Sequence, residues 1–343
     1  MTTPVRRTNP EDPSFESVVK KLIDNDEGLT SSEIAALSLA EPEERMIFRR
    51  SWPEVTPERK AHLLGRMIEL AEDDANLDFS SLYRIMLADD TAVVRSAAIQ
   101  GLWENEDPTL IRKLLPMMTN DPDAGVRAAA AEALGRFAML AEYGKLRPET
   151  ADALSESLLN VFRNSREDID VRRRALEAAA YLTRPEVREA ITDAYDSDNP
   201  GLRASALFAA GRNLDPSWLE TLLDETVSEL PELRYEAAVA LGEYEDERGV
   251  PQLIRLTEDD DSEVRLAAIT ALGKIGGRDA KLQLEELTHH EDEAVREMAA
   301  ESLEDLSQAS GLLSGEIEAP ELVHPEQEEP DEGAEWDDET YAG

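Results

Sequence analysis

Four histidines, no cysteine and 76 acidic side chains bound the chemistry that these 343 residues could support. His289-His290-Glu291-Asp292 is the one run of metal-ligand types, but adjacent histidines on a helix point in different directions and a shared ion would need ligands from elsewhere. The run reads as an exposed turn between repeats. His62 and His324 stand alone. Leu272-Gly-Lys-Ile-Gly-Gly277 lacks both the spacing of a phosphate-cradling loop and a strand before it, and no nucleophile elbow of the G-x-S-x-G type occurs. Without cysteine there is no disulfide framework, thiolate metal site or cysteine nucleophile. Carboxylates are plentiful, but acid–base chemistry needs a pair in unequal environments, which abundance does not supply. The expectation is a protein that is not an enzyme and carries no cofactor or metal.

The charge narrows the partners. Lys and Arg number 35 against 76 acids, a net charge of −41; twelve of those acids, with no Lys or Arg, lie between Ala309 and Gly343, leaving the first 308 residues at 64 acids against 35 bases. Nucleic acids and anionic lipid surfaces are bound through Lys and Arg, so both are excluded as general partners. No apolar stretch approaches the roughly 20 residues of a membrane span, and Arg6 and Arg7 are followed by no secretory h-region, so a cytoplasmic location is expected. The acidity also fits adaptation to concentrated salt, although Glu outnumbers Asp by 47 to 29.

The elements that must position any site come from a repeat. Val94-Arg95, Val126-Arg127, Val171-Arg172, Leu202-Arg203, Leu233-Arg234, Val264-Arg265 and Val295-Arg296 recur at intervals of 32, 45, 31, 31, 31 and 31 residues. Alanine stands three residues after every arginine, and apolar residues occupy −1, +3, +4 and +7, a single stripe on a 3.6-residue helix. A second apolar pattern about 12 residues upstream, such as 251–256, gives a partner helix, so each unit is a helical hairpin. Asp121-Pro122 and Asn199-Pro200 supply turn and cap chemistry between the two. Glycine at +8 (Gly135, Gly211, Gly242, Gly273) costs roughly 1 kcal/mol inside a helix, which predicts close approach of a neighbouring helix or a common helix exit.

These residues, best preserved in Asp259-Asp-Asp-Ser-Glu-Val-Arg-Leu-Ala-Ala-Ile-Thr-Ala-Leu-Gly273, resemble the HEAT-repeat family in its short bacterial and archaeal form, related to the repeats of phycobilin lyases. The resemblance covers about 78–306. It implies an all-α solenoid of about seven hairpins, with an Asp six residues before each Arg forming a ladder between repeats. Asp89, Asp121 and Asp259 fit that ladder, and Arg166, Ser197, Ser228 and His290 depart from it. The proline that the family uses to bend the first helix is matched only by Pro251. The family's di-iron hydroxylases use several His-Glu pairs, and this chain has only His290-Glu291; its DNA glycosylases require a basic concave face.

The chain therefore divides into a disordered N-terminus (1–14), a divergent helical cap (15–77), the solenoid (78–308) and an acidic disordered tail (309–343). In the cap, 15–23, 32–39 and 57–71 look helical, and Arg59 falls in a register whose flanking positions do not fit the repeat. The longer interval after Arg127 is absorbed by a longer second helix and loop around 139–148.

In such arrays the second helix lines the concave side, which would project Gln100, Glu104, Glu132, Arg136, Arg173, Glu177, Tyr181, Phe208, Arg212, Tyr235, Glu243 and Lys274 into the groove. Arg173, Tyr181, Phe208, Arg212 and Tyr235 put aromatics and arginines together, a composition enriched in binding hot spots; packed rings and solvated arginines are the alternative. Trp336 and Tyr341 in the acidic tail are either a docking motif for a basic groove, on another protein or on this one, or incidental aromatics in a solubilising segment. The expected function is a non-catalytic protein–protein interaction scaffold or adaptor. A phycobilin-lyase-like enzyme handling a chromophore and a carrier for basic proteins are the alternatives.

Overall fold

The computed structural model describes residues 13–24 and 28–314. Among them are eighteen α-helices and no strand. The repeat folds into the seven expected hairpins: α5 (Ser80–Met86) with α6 (Ala92–Gln100), α7 (Ile111–Asn120) with α8 (Ala124–Glu142), α9 (Pro148–Arg163) with α10 (Ile169–Ala179), α11 (Pro185–Tyr195) with α12 (Pro200–Asn213), α13 (Leu219–Glu225) with α14 (Pro231–Tyr244), α15 (Val250–Leu256) with α16 (Ser262–Ile275), and α17 (Gly277–Leu287) with α18 (Glu293–Ser314). The −1, +3 and +4 residues of the second helices, Val264, Ala268 and Ile269 for example, are buried, except Ala300 in the last of them. Short side chains begin these helices: Asn199 Oδ1 accepts the Leu202 N–H, Asp123 the Val126 N–H, and Asp261 the Glu263 and Val264 N–H groups. Pro251 stands in the first turn of α15, where its missing N–H costs nothing, and so it starts that helix instead of bending it.

Each second helix packs along the next, whereas successive first helices meet more sparsely. Glycine sets the spacing. A Cβ at Gly211 would stand 2.9 Å from the Ala240 Cα, one at Gly242 3.0 Å from the Ala271 Cα, and one at Gly273 2.8 Å from the Ser302 Cβ. The +8 glycine thus receives the small +6 residue of the following repeat. Close approach on one side of the stack and looser contact on the other make the second-helix side the inner one.

The outer loops carry the ladder, which is more complete than the sequence register implies. Arg95 holds Asp121 with two bonds of 2.8 and 2.6 Å, Arg127 holds Glu167 at 2.7 Å, Arg203 holds Glu225 at 2.7 Å, and Arg234 holds Asp259 with two bonds of 2.7 Å. Arg265 lies 3.6 Å from Asp292. Glu167 and Asp292 in the loops and Glu225 at the end of α13 replace the missing aspartates, so only Ser197 leaves a gap, and Arg172 there donates to the Phe162 carbonyl at 2.8 Å. Five of the arginines also clamp their own loop through the carbonyl six residues back, Arg265 to Asp259 O at 2.7 Å among them.

The cap extends both rows of helices by one. Helix α3 (Pro42–Ser51) was not foreseen because Phe48 is the only side chain it buries, although Pro42 in its first turn, Glu43 and Glu44 near its start and Arg49 and Arg50 at its end are helix signals. It packs against α1 (Phe15–Asp24) and α5, and α4 (Pro57–Asp73) packs against α2 (Ser31–Ala35) and α6, so α3 continues the row of first helices and α4 the row of second helices. In α4 the ladder cation is Lys60, not Arg59: Leu63, Leu64 and Met67 fill its +3, +4 and +7 positions and are buried. At the other end α18 runs to Ser314, past the expected boundary at 309, and the rest of the tail, with Trp336 and Tyr341, lies outside the described residues, as do residues 1–12.

Candidate protein-binding surface

The inner face is built from second-helix positions that the stripe leaves uncovered. On α10, α12 and α14 it carries the strip foreseen from the sequence. Arg173 donates from Nε to Ser205 Oγ at 3.0 Å and from a terminal nitrogen to Glu232 at 3.1 Å, bridging three consecutive second helices. Arg212 lies over the Phe208 ring, 5.3 Å from its centroid, and pairs with Glu243 at 3.2 Å; Lys274 reaches the same carboxylate at 2.7 Å. Tyr235 is exposed, and Tyr181 is half-buried with its ring against Gly135. The strip is therefore contiguous, but its arginines are already neutralised by neighbours on the same face.

Glu177, expected to project into the groove, is buried instead. It accepts from Arg174 at 2.5 Å and from Ser205 Oγ of α12 at 2.6 Å, and these two donors draw it into the joint where Ala180 stands in the +8 glycine position and Ser197 in that of the ladder carboxylate. The polar network Arg174–Glu177–Ser205–Arg173–Glu232 ties the inner side where the outer ladder lapses. Glu236 sits half-buried beside it. Burial, with Glu177 and Glu232 nearby, pushes its carboxyl up to about 7, against the opposing pull of Arg173 and Arg174.

A wide hollow on this face lies elsewhere, between α6 and α8. It encloses about 730 Å³ and is lined by Val93, Ala97, Trp103, Ala129, Glu132 and Arg136 among others. Trp103 is 55% exposed, with the Arg136 guanidinium 5.4 Å from its ring centroid. Its position is +8 from Arg95, where four other repeats have glycine. A ring cannot fit where backbones nearly touch, and α6 accordingly stops at Gln100, turning at Gly101 against the Tyr83 ring. The tryptophan in the glycine register was the sequence signal for this hollow. A smaller one, about 270 Å³, lies between Tyr235, Leu266 and Met298.

Residues 80–161 and 216–304 match the family described as HEAT repeats. The chain belongs to that family. The stretch between the two matches, 162–215, holds the joint at which this HEAT array loses both its glycine and its ladder carboxylate. No curated protein matches the chain. Similar solved structures include the Escherichia coli protein YibA (16% identity over 89% of this chain and 99% of that one, TM-score 0.42), human deoxyhypusine hydroxylase in complex with glycerol (18%, 86% and 96%, TM-score 0.35) and a designed armadillo repeat protein in complex with the peptide (KR)4 (19%, 59% and 100%, TM-score 0.37). None of the three bears on this chain's activity. Among the described residues of the array no helix is long and apolar enough to cross a membrane, and no group of three or more His, Asp or Glu is placed to hold a metal ion.

Proposed function

We propose that this HEAT array is a non-catalytic interaction scaffold of the cytoplasm, and that its protein or peptide partner lies along the row of second helices with an apolar side chain in the hollow beside Trp103. The observation that carries this reading is Trp103 itself. A large ring left more than half exposed, in a concave apolar site and next to an arginine, has the composition and placement of a binding hot spot. Arg173, Phe208, Arg212 and Tyr235 extend the surface along the array. Their internal ion pairs hold the arginine side chains in place before a partner arrives, which lowers the entropy lost on binding.

The test is affinity purification with mass spectrometry from the native host, using the wild type and Trp103→Ser at low and high salt. The scaffold reading predicts partners that survive high salt with the wild type and are absent with Trp103→Ser. The same partners with both variants would refute the assigned site. Partners lost only at high salt would favour a carrier for basic proteins, and a co-purifying visible absorbance would favour the chromophore-handling reading.

A further inference from the structure

The opposite face, formed by first helices, carries a feature that a scaffold of the concave side does not use. In a chain with more than two acids for every base, the ladder arginines Arg95, Arg127, Arg203 and Arg234 and the concave arginines Arg173 and Arg212 are paired with carboxylates. Among the described residues Arg45 and Arg49 on α3 and Lys113 on α7 have no ion-pair partner, and all three are exposed. They line one hollow of about 530 Å³ together with Arg84, whose charge is balanced by Asp107 at 2.7 Å, and with Asp78. The hollow thus holds four cations and two carboxylates in a molecule of net charge −41. At its rim Met46, between the two arginines, is 53% exposed.

We propose that this basic hollow docks the acidic C-terminal segment of a second copy of the chain, with Trp336 against Met46 and the flanking carboxylates on Arg45, Arg49 and Lys113. Two patterns match. The segment after Ser314 carries twelve acids and no Lys or Arg, and places Trp336 between Glu335 and Asp337-Asp338-Glu339, as Met46 is set between cations. A thioether against an indole is a favourable contact, and carboxylates on arginine form the stronger class of hydrogen bond. The concave strip is a poorer receptor for the same segment, since Arg173 and Arg212 are already paired with Glu232 and Glu243.

Reach selects a second copy over the segment's own body. Six helix spacings of about 8–10 Å separate α5 from α17, roughly 50–60 Å. Trp336 lies 22 residues after Ser314, and any flexible chain of that length has a root-mean-square span of about 26 Å. Docking on its own hollow would stretch the segment to about twice that span, whereas docking between copies imposes no stretch. At physiological ionic strength the Debye length of about 8 Å screens the two negative bodies from each other while contacts at bonding distance persist.

The experiment is sedimentation velocity on full-length chains. The wild type is expected to self-associate with rising concentration. A hollow variant (Arg45→Glu, Arg49→Glu, Lys113→Glu) and a segment variant (Trp336→Ala, Asp337→Asn, Asp338→Asn, Glu339→Gln) are each expected to stay monomeric with unchanged melting temperatures. An equimolar mixture of the two should restore a species of two chains, because each supplies what the other lacks. A monomeric wild type, association of either variant as strong as the wild type's, or a mixture that stays monomeric would overturn the proposal. Retention of nucleic acid by the wild type but not by the hollow variant, without self-association, would overturn it by assigning the hollow to phosphates.

Discussion

Asp89 is nearly buried and accepts from three donors: Lys60 Nζ at 2.7 Å, Trp52 Nε1 at 2.7 Å and the Thr91 N–H at 2.8 Å. Burial opposes its ionisation, but these bonds outweigh it and hold the carboxyl below the ordinary range. Removing one partner of such a pair strands a buried charge, so Lys60→Met should cost about 3–5 kcal/mol in urea unfolding, well above the 0–1 kcal/mol of an exposed pair. A cost inside that lower range would show that Lys60 is not the ladder cation of the cap. Glu236 has the opposite sign. Its folded value of about 7 exceeds the ordinary 4.5, so the stability it contributes is present below about pH 4.5 and is lost as pH rises towards 7. Glu236→Gln should therefore melt higher than the wild type at pH 8 and equally at pH 4.5, and an equal gain at both would contradict the assignment. For Asp89, Asp121 and Asp259 the folded values are lowered, and their contribution is lost as pH falls below the ordinary carboxylate range.

Between helices, the regular features of the sequence were the legible ones, because stacking imposes one small residue at one phase in every repeat. Ala268 is fully buried, and Ala268→Leu should destabilise by about 1–3 kcal/mol through overpacking. Gly242→Val should cost at least as much, since even a Cβ there meets the Ala271 backbone at 3.0 Å, whereas Gly65→Ala, with nothing within 4 Å, should gain about 0.5–1 kcal/mol in the same thermal melts. Equal effects at Gly242 and Gly65 would mean that glycine does not set the spacing. What stayed illegible broke the phase. A loop or the helix end before it can present a carboxylate from several positions, so Glu167, Glu225 and Asp292 were invisible to a search at −6. Lysine at position 60 hid a second helix, α4, written in the same register as the rest. Trp103 was readable only as the exception to a rule whose physical reason is the distance between neighbouring second helices.

For the whole molecule, these local rules make a linear array in which each hairpin is held by its neighbours and stability is a sum of nearest-neighbour terms. The excess of acid works against that sum through self-repulsion, so added salt should raise the melting temperature before any specific ion effect enters. The concave row follows from the same packing: close second helices curve the stack, and positions off the apolar stripe are presented along its inner side. The strip on α10, α12 and α14 was legible from the sequence as aromatics and arginines in phase, whereas the hollow at α6 and α8 was marked there only by Trp103 standing in the glycine register. Hydrogen exchange of the full chain, free and bound to the partner recovered by affinity purification, tests the functional account most directly. The account predicts new protection on second helices, strongest at α6 and α8 around Trp103 and continuing to α14. Protection confined to first helices, or none at α6 and α8, would contradict it.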